Sequence, residues 1–274
     1  MIWTRGTIVA DGALRIPVLD RALEHGLGLF ETLRTWRGRA ALLPRHLDRL
    51  KRSADELRIP LDPRDLPGEE DIRALLAADG REGDATLRIT LSGGTSETEG
   101  SMLWMRSAPL PPSPPASGYR LGPTAPARPD KLAGYKSLNY WPHRLAYEAA
   151  RAEGFDECLM IDPTGAVLEG SRTNVFFVVG GRLVTPPADG QIVPGIMRGL
   201  VIERARALGI VVEEASLGLA DAKGRPEEVF LTNAVRGIIP VGRWGERVLP
   251  PPGEVTRRLR DNLADWLEPE GTSS

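Results

Sequence analysis

Five prolines in eleven residues, APLPPSPPASG at 108–118, limit this chain more than any other feature. Each proline removes a backbone donor and fixes φ, so neither a helix nor a central strand is expected to run through the stretch. A stiff extended connector is left, which sets a boundary between two domains, residues 1–113 and 114–274. With 274 residues and 41% hydrophobic content, both halves have enough material for a core.

The first half reads as α+β. Strand-like runs at Thr7–Ala10, Phe30–Trp36, Thr86–Leu91 and Met102–Met105 surround one clear helix, PRHLDRLKRSADEL. That helix opens on Pro44 and repeats apolar residues at Leu47, Leu50, Ala54 and Leu57. In the second half, a helix follows Lys136, then a strand DECLMI, a turn DPTG, and one strand running on through VFFVV. Gly180 and Gly181 suit a tight hairpin into RLVTP. A helix GIMRGLVIERARALG opens after Pro194 and closes at Gly209, and a strand EVFLT leads into NAVRG.

Several functions are excluded by composition. A net charge of −2 supplies no field to gather nucleic acid or an anionic membrane, so the expected partner is a small molecule. No segment reaches the roughly 18 apolar residues of a membrane span. The single Cys158 and an N-terminus without a secretion signal point to a reducing cytoplasm. His25, His46 and His143 are widely spaced with no HExxH or CxxC partner, so no metal site is expected. The serine of LEGSRT lacks a nucleophile elbow, and the glycines of EHGLGLFE and LSGGTSETEG match no phosphate loop and read as turns.

Lysine is the informative residue. Among 35 basic side chains only Lys51, Lys131, Lys136 and Lys223 are lysines, and Lys136 stands between Tyr135 and the pair Tyr140–Trp141. An amine desolvated by aromatics is more readily neutral, and a neutral amine attacks a carbonyl to form a Schiff base. The same placement equally suits a lysine that lays its stem on a ring and keeps its head in water.

The stretches YKSLNYWPHRLAYEAARAEGFDECLMIDPTGAVLEGSRTNVFFV, IVPGIMRGLVIERA and EVFLTNAVRGIIPV, with DRALEHGLGLFETLR and HLDRLKRSA before them, resemble the class IV aminotransferases. These are the fold type IV pyridoxal 5'-phosphate (PLP) enzymes, which include branched-chain and D-amino acid aminotransferases and 4-amino-4-deoxychorismate lyase. The resemblance runs from about residue 5 to about residue 245. It implies a small N-terminal α/β domain, a larger C-terminal β-barrel-like α/β domain, and a homodimer with PLP bound between the domains.

It also assigns roles. Lys136 matches the Schiff-base lysine that moves the proton during catalysis. Glu169 matches the carboxylate set against the pyridine nitrogen, which must stay protonated for the ring to draw electrons. Ile196 and Met197 at a helix start, Asn233 and Ala234 in a second turn, and Arg49 match the phosphate contacts. Phe30, Tyr140, Val235 and Arg236 fall at substrate positions. From residue type alone, Glu169 and Arg49 read equally as surface charges, and Phe30 and Tyr140 as core aromatics.

One departure bears on specificity. Many relatives end the strand LRITLSGG with a carboxylate-binding arginine where this chain has Ser92. Arg236, Arg88 and His25 are the candidates to replace it, and Arg236 is preferred for its place after the phosphate contacts. The expected activity is transfer of an amino group from an amino donor to a 2-oxo acid. The alternative is the lyase, which eliminates pyruvate to give 4-aminobenzoate.

Overall fold

The computed structural model describes residues 1–81, 83–127, 130–224, 226–249 and 252–267. The chain divides into two compact units within the proline-rich stretch. One unit holds Met1–Pro112, Lys136–Asn139 and, at the end of the described chain, Leu267; the other holds Ser113–Tyr135 and Tyr140–Trp266.

In the first unit the elements are β1 (Ile2–Thr4), β2 (Thr7–Val9), α1 (Arg21–His25), β3 (Gly28–Trp36), β4 (Arg39–Ala40), α2 (Leu43–Glu56), α3 (Glu69–Ala78), β5 (Ala85–Ser92) and β6 (Leu103–Pro109). The strands make one antiparallel sheet in the order β2-β1-β6-β5-β3-β4. Its register explains its two faces. The pairs Leu29↔Leu91, Glu31↔Ile89 and Leu33↔Leu87 lie on one face, and Gly28↔Ser92, Phe30↔Thr90 and Thr32↔Arg88 on the other. Among these pairs the first face is apolar apart from Glu31, and α2 packs there with Leu43, Leu50 and Ala54 buried.

Two features depart from the sequence expectation. Strand β6 runs on to Pro109, which pairs with Ala85 at the strand end, so the connector is shorter than the proline run. Helix α3 adds a second long helix to the one expected in this half. Its signal is present in the sequence: three acids in the first turn precede Ile72, Leu75 and Leu76, all buried.

The second unit contains β7 (Tyr119–Leu121), β8 (Ala125–Pro126), α4 (Trp141–Ala152), β9 (Leu159–Ile161), β10 (Ala166–Gly170), β11 (Asn174–Val179), β12 (Arg182–Thr185), α5 (Ile196–Ala207), β13 (Val212–Glu214), β14 (Leu217–Gly218), α6 (Leu219–Gly224), β15 (Glu228–Asn233), β16 (Gly237–Trp244), β17 (Arg247–Val248), α7 (Glu254–Asp261) and α8 (Leu263–Leu267). One sheet runs β14-β10-β9-β8; the other runs β13-β12-β11-β15-β16-β17, with β7 parallel to β16. Alternate residues of both sheets, including Leu159, Val167, Val175, Phe177, Val229, Leu231, Ile239 and Val241, form one core. The intervening Phe176 and Phe230 are also buried and stack at 4.9 Å, which is why VFFVV reads as an unbroken apolar run.

The expected single strand from DPTG through VFFVV is broken in two. β10 ends at Gly170, whose N–H donates to the Thr173 carbonyl at 2.7 Å, and β11 begins at Asn174 in the other sheet. Glu157, fully buried, accepts from the Ser171 N–H and both the Ser171 and Thr173 hydroxyls, which fixes the break.

Lys136–Asn139 joins the first unit because its backbone pairs with β3. The Phe30 N–H donates to Lys136 O and the Leu138 N–H to Gly28 O, both at 2.9 Å, and Leu29 bridges Ser137 antiparallel. Glycine at 28 permits this approach, since a Cβ there would lie 2.5 Å from Leu138 Cδ1 and 2.8 Å from the Leu91 carbonyl oxygen. Gly28→Ala should therefore destabilise the protein by about 1–3 kcal/mol, the range for overpacking. Urea unfolding checks this, and an unchanged midpoint would contradict it.

Candidate active site

The pairing on β3 fixes where Lys136 can reach. Its Nζ stands 4.1 Å from the centroid of the buried Phe30 ring, and the Arg88 guanidinium lies 3.8 Å from the same centroid. Lysine and arginine thus share one ring on the less apolar face of the sheet. Phe30, distant in sequence, is a ring beside Lys136. Tyr140 instead donates its hydroxyl to the Ser171 carbonyl at 3.0 Å, within the second unit.

On the opposite face of β3, Glu31 would be an isolated buried acid without α2. Arg49 forks onto it through Nε and Nη2 at 2.7 and 2.6 Å, and His46 Nδ1 is 2.7 Å from Oε2. Burial alone would raise the Glu31 carboxyl, but the Arg49 charge and His46 outweigh it and hold the group at about 2. Burial lowers His46, against the pull of Glu31 and with the Arg49 and Lys136 charges adding to it. A neutral imidazole must then donate from Nδ1, because a carboxylate only accepts. The guanidinium has five N–H donors and the fork uses two, so Arg49 has donors directed elsewhere in a fixed orientation.

In the second unit, the broken strand delivers Glu169 at the end of β10, buried to 6% exposure. Asn174 Nδ2 donates to Glu169 Oε2 at 3.2 Å and to the Val193 carbonyl at 3.0 Å, while the Val193 N–H lies 3.3 and 3.4 Å from the two carboxylate oxygens. Val193 leads through Pro194 and Gly195 into α5. Gly195 is the N-cap and supplies no side-chain cap, and a Cβ there would strike Asn174 Oδ1. The first-turn N–H groups at Ile196 and Met197 are therefore presented without a capping oxygen, the arrangement that suits an anion. At the end of β15, Asn233 Oδ1 accepts from the Val235 and Arg236 N–H groups at 3.1 and 2.8 Å, which shapes the turn carrying Ala234. Arg236 stands 6.0 Å from the Tyr119 ring centroid.

Sequence reasoning missed Glu31, His46, Glu157, Asn174 and Val193. Glu31 was findable: strand alternation sets it on the face of Leu29 and Leu33, where a carboxylate demands partners, and His46 and Arg49 lie one helical turn apart. Ser92, by contrast, serves the fold. Its hydroxyl donates to the buried Asp20 at 2.5 Å and accepts from the Met102 N–H at 2.9 Å.

In the first unit an amine lies on an aromatic ring, and in the second a buried carboxylate with fixed donors adjoins an uncapped helix start; each group is of a kind that fits PLP. The sequence profile of class IV aminotransferases matches residues 28–244. A Methanocaldococcus jannaschii protein bearing a branched-chain-amino-acid aminotransferase name is 32% identical over 96% of this chain and 95% of its own. Two solved structures span nearly the whole fold. The branched-chain aminotransferase of Thermoproteus uzoniensis, crystallised with norvaline, has a TM-score of 0.83 at 26% identity, covering 97% of this chain and 95% of its own. The 4-amino-4-deoxychorismate lyase of Pseudomonas aeruginosa has a TM-score of 0.79 at 34% identity, covering 97% and 98%. The chain belongs to the class IV aminotransferase family, a family of PLP-dependent enzymes.

The Glu31 cluster has a pH signature. Both Glu31 and His46 have folded values below their ordinary ones of 4.5 and 6.5, so the unfolded chain binds more protons and stability falls with acid. The His46 contribution fades as pH drops below 6.5, and that of Glu31 between 4.5 and about 2. Arg49→Ala should cost about 3–5 kcal/mol at neutral pH, as expected when a buried pair loses one partner, and its deficit should shrink through the acid window. Denaturant unfolding of both proteins from neutral to acid pH measures this; a deficit that stays constant would refute it.

Proposed function

We propose that Lys136 carries PLP as a Schiff base and that the enzyme is a transaminase. The bound cofactor supplies an electron sink that stabilises charge at the substrate Cα. Lys136 is the residue that holds and moves the proton there. Glu169 faces the ring nitrogen, and the Ile196–Met197 and Asn233–Ala234 turns and Arg49 take the phosphate. Phe30, Tyr140 and Val235 line the substrate, and Arg236 takes its carboxylate. The observation that carries this reading is Lys136 on the Phe30 ring, held by its backbone pairing with β3. Of the other two candidate cations, His25 is 63% exposed beside Glu24, whereas Arg88 shares the ring with Lys136.

The 34% identity to a lyase and the position of Arg88 favour one second reading. The lyase substrate carries an additional ring carboxylate, and Arg88 with Arg236 would supply two cations despite the serine at 92. The half-reaction separates the two. A transaminase should lose the visible cofactor band on addition of an amino acid alone and regain it with a 2-oxo acid. Arg236→Ala should weaken binding of that donor by roughly 2 kcal/mol, the range for a hydrogen bond to a charged group. If no L- or D-amino acid bleaches the band while aminodeoxychorismate yields pyruvate, the lyase reading holds.

A homodimer and a cytoplasmic location belong to the same proposal. Val18, Leu19 and Leu23 are 79, 63 and 60% exposed within one short segment, an apolar surface suited to a second copy. Light scattering should give twice the 29.8 kDa chain mass, and a monomer would contradict it. The lone, buried Cys158 suits a reducing compartment.

A further inference from the structure

His143 is a partner of Glu169 that neither the strand nor the α5 entry supplies. His143 Nε2 stands 3.5 Å from Glu169 Oε1, an ion-pair distance rather than a short hydrogen bond, so its effect depends on a fixed imidazole. The ring is fixed. It stacks on Tyr140 with centroids 5.3 Å apart and planes 9° apart, and the Tyr140 hydroxyl is tied to the Ser171 carbonyl at 3.0 Å. Both rings sit at the start of α4, with Pro142 at its first turn. Asn174 and Val193 hold the carboxylate from the other side. His143 and Glu169 side chains are 23% and 8% exposed, which limits screening between them.

We propose that His143 is a positioning residue for Glu169: the stacked imidazole fixes and polarises the carboxylate assigned to the cofactor ring nitrogen. The inference rests on that assignment of Glu169. The imidazole aligns the carboxylate from the side opposite Asn174 and Val193. The pair is faced by Tyr140, which stacks on His143, and by Asn174 and Val193, which bond Glu169, while the Arg172 guanidinium lies 3.5 Å from the Tyr147 ring centroid. Arg172 is thus a cation supplied from the adjoining turn, and it is engaged on a different ring.

The test compares the wild-type full chain with His143→Phe, which keeps a ring to stack on Tyr140, and His143→Gln, which keeps a donor. Glu169→Gln and the double variant His143→Phe/Glu169→Gln complete a cycle. Each apoprotein is titrated with PLP, and the pH dependence of the visible band is recorded. His143→Phe should weaken PLP binding roughly tenfold, as for residues coupled in one network, and shift the pH midpoint of the band. His143→Gln should recover part of both effects. In the Glu169→Gln background, His143→Phe should change nothing further. Additive effects of the two substitutions, or wild-type affinity and spectrum in both His143 variants, would overturn the proposal. A Glu169→Gln protein indistinguishable from wild type would instead remove the ring-nitrogen assignment, and the proposal with it.

Discussion

The pairing of Lys136–Leu138 with Gly28–Phe30 is the constraint on which the chemistry depends. Two backbone hydrogen bonds of 2.9 Å hold the four-residue segment Lys136–Asn139 in the first unit, after the chain has left it at Pro112. Side chains alternate along a strand, so the register that puts Phe30 under Lys136 also sends Glu31 to the opposite face. One register thus sets both the position of the Lys136 amine and the ion cluster that orients Arg49. The glycine at 28 is where the sequence commits to this arrangement, because any side chain there would press on Leu138 and on the β5 backbone.

Three buried carboxylates show how differently a buried acid can be used. Glu31 is neutralised by a bidentate guanidinium and a histidine, which favours the ionised form strongly enough to offset burial. Glu157 is surrounded by hydroxyl and N–H donors, and burial wins, raising its carboxyl. Its donors close the turn between β10 and β11. Glu169 receives an amide, a backbone N–H and an imidazole at longer distances of 3.2–3.5 Å. Of the three, this last carboxylate sits directly beside the uncapped start of α5. Buried acids cost free energy unless satisfied, and each of the three is held by a different set of donors.

The sequence revealed the elements with strong periodicity and those with firm punctuation: α2 behind its proline, α5 between Pro194 and Gly209, and the hairpin at Gly180–Gly181, where both glycines take positive φ. It also singled out Lys136 as the lysine proposed for the Schiff base, through the scarcity of lysine and through family resemblance. Three features were hidden for physical reasons. The break after Gly170 depends on Glu157, thirteen residues earlier, and no local pattern announces it. Phe30 lies beside Lys136 through strand pairing, which is long-range and leaves no local signal, while the Tyr140 hydroxyl bonds within the second unit. Ser92 read as a vacancy in the substrate site, but it is a structural pin on Asp20.

Reductive trapping tests the central claim most directly. The PLP-loaded protein would be treated with borohydride, digested with trypsin, and its peptides weighed and sequenced by mass spectrometry. Reduction should fix a pyridoxyl group on Lys136, recovered in the peptide Leu132–Arg144 with cleavage at the lysine blocked. Recovery of the group on Lys51, Lys131 or Lys223, or a protein that binds PLP and yields no modified lysine, would contradict the account.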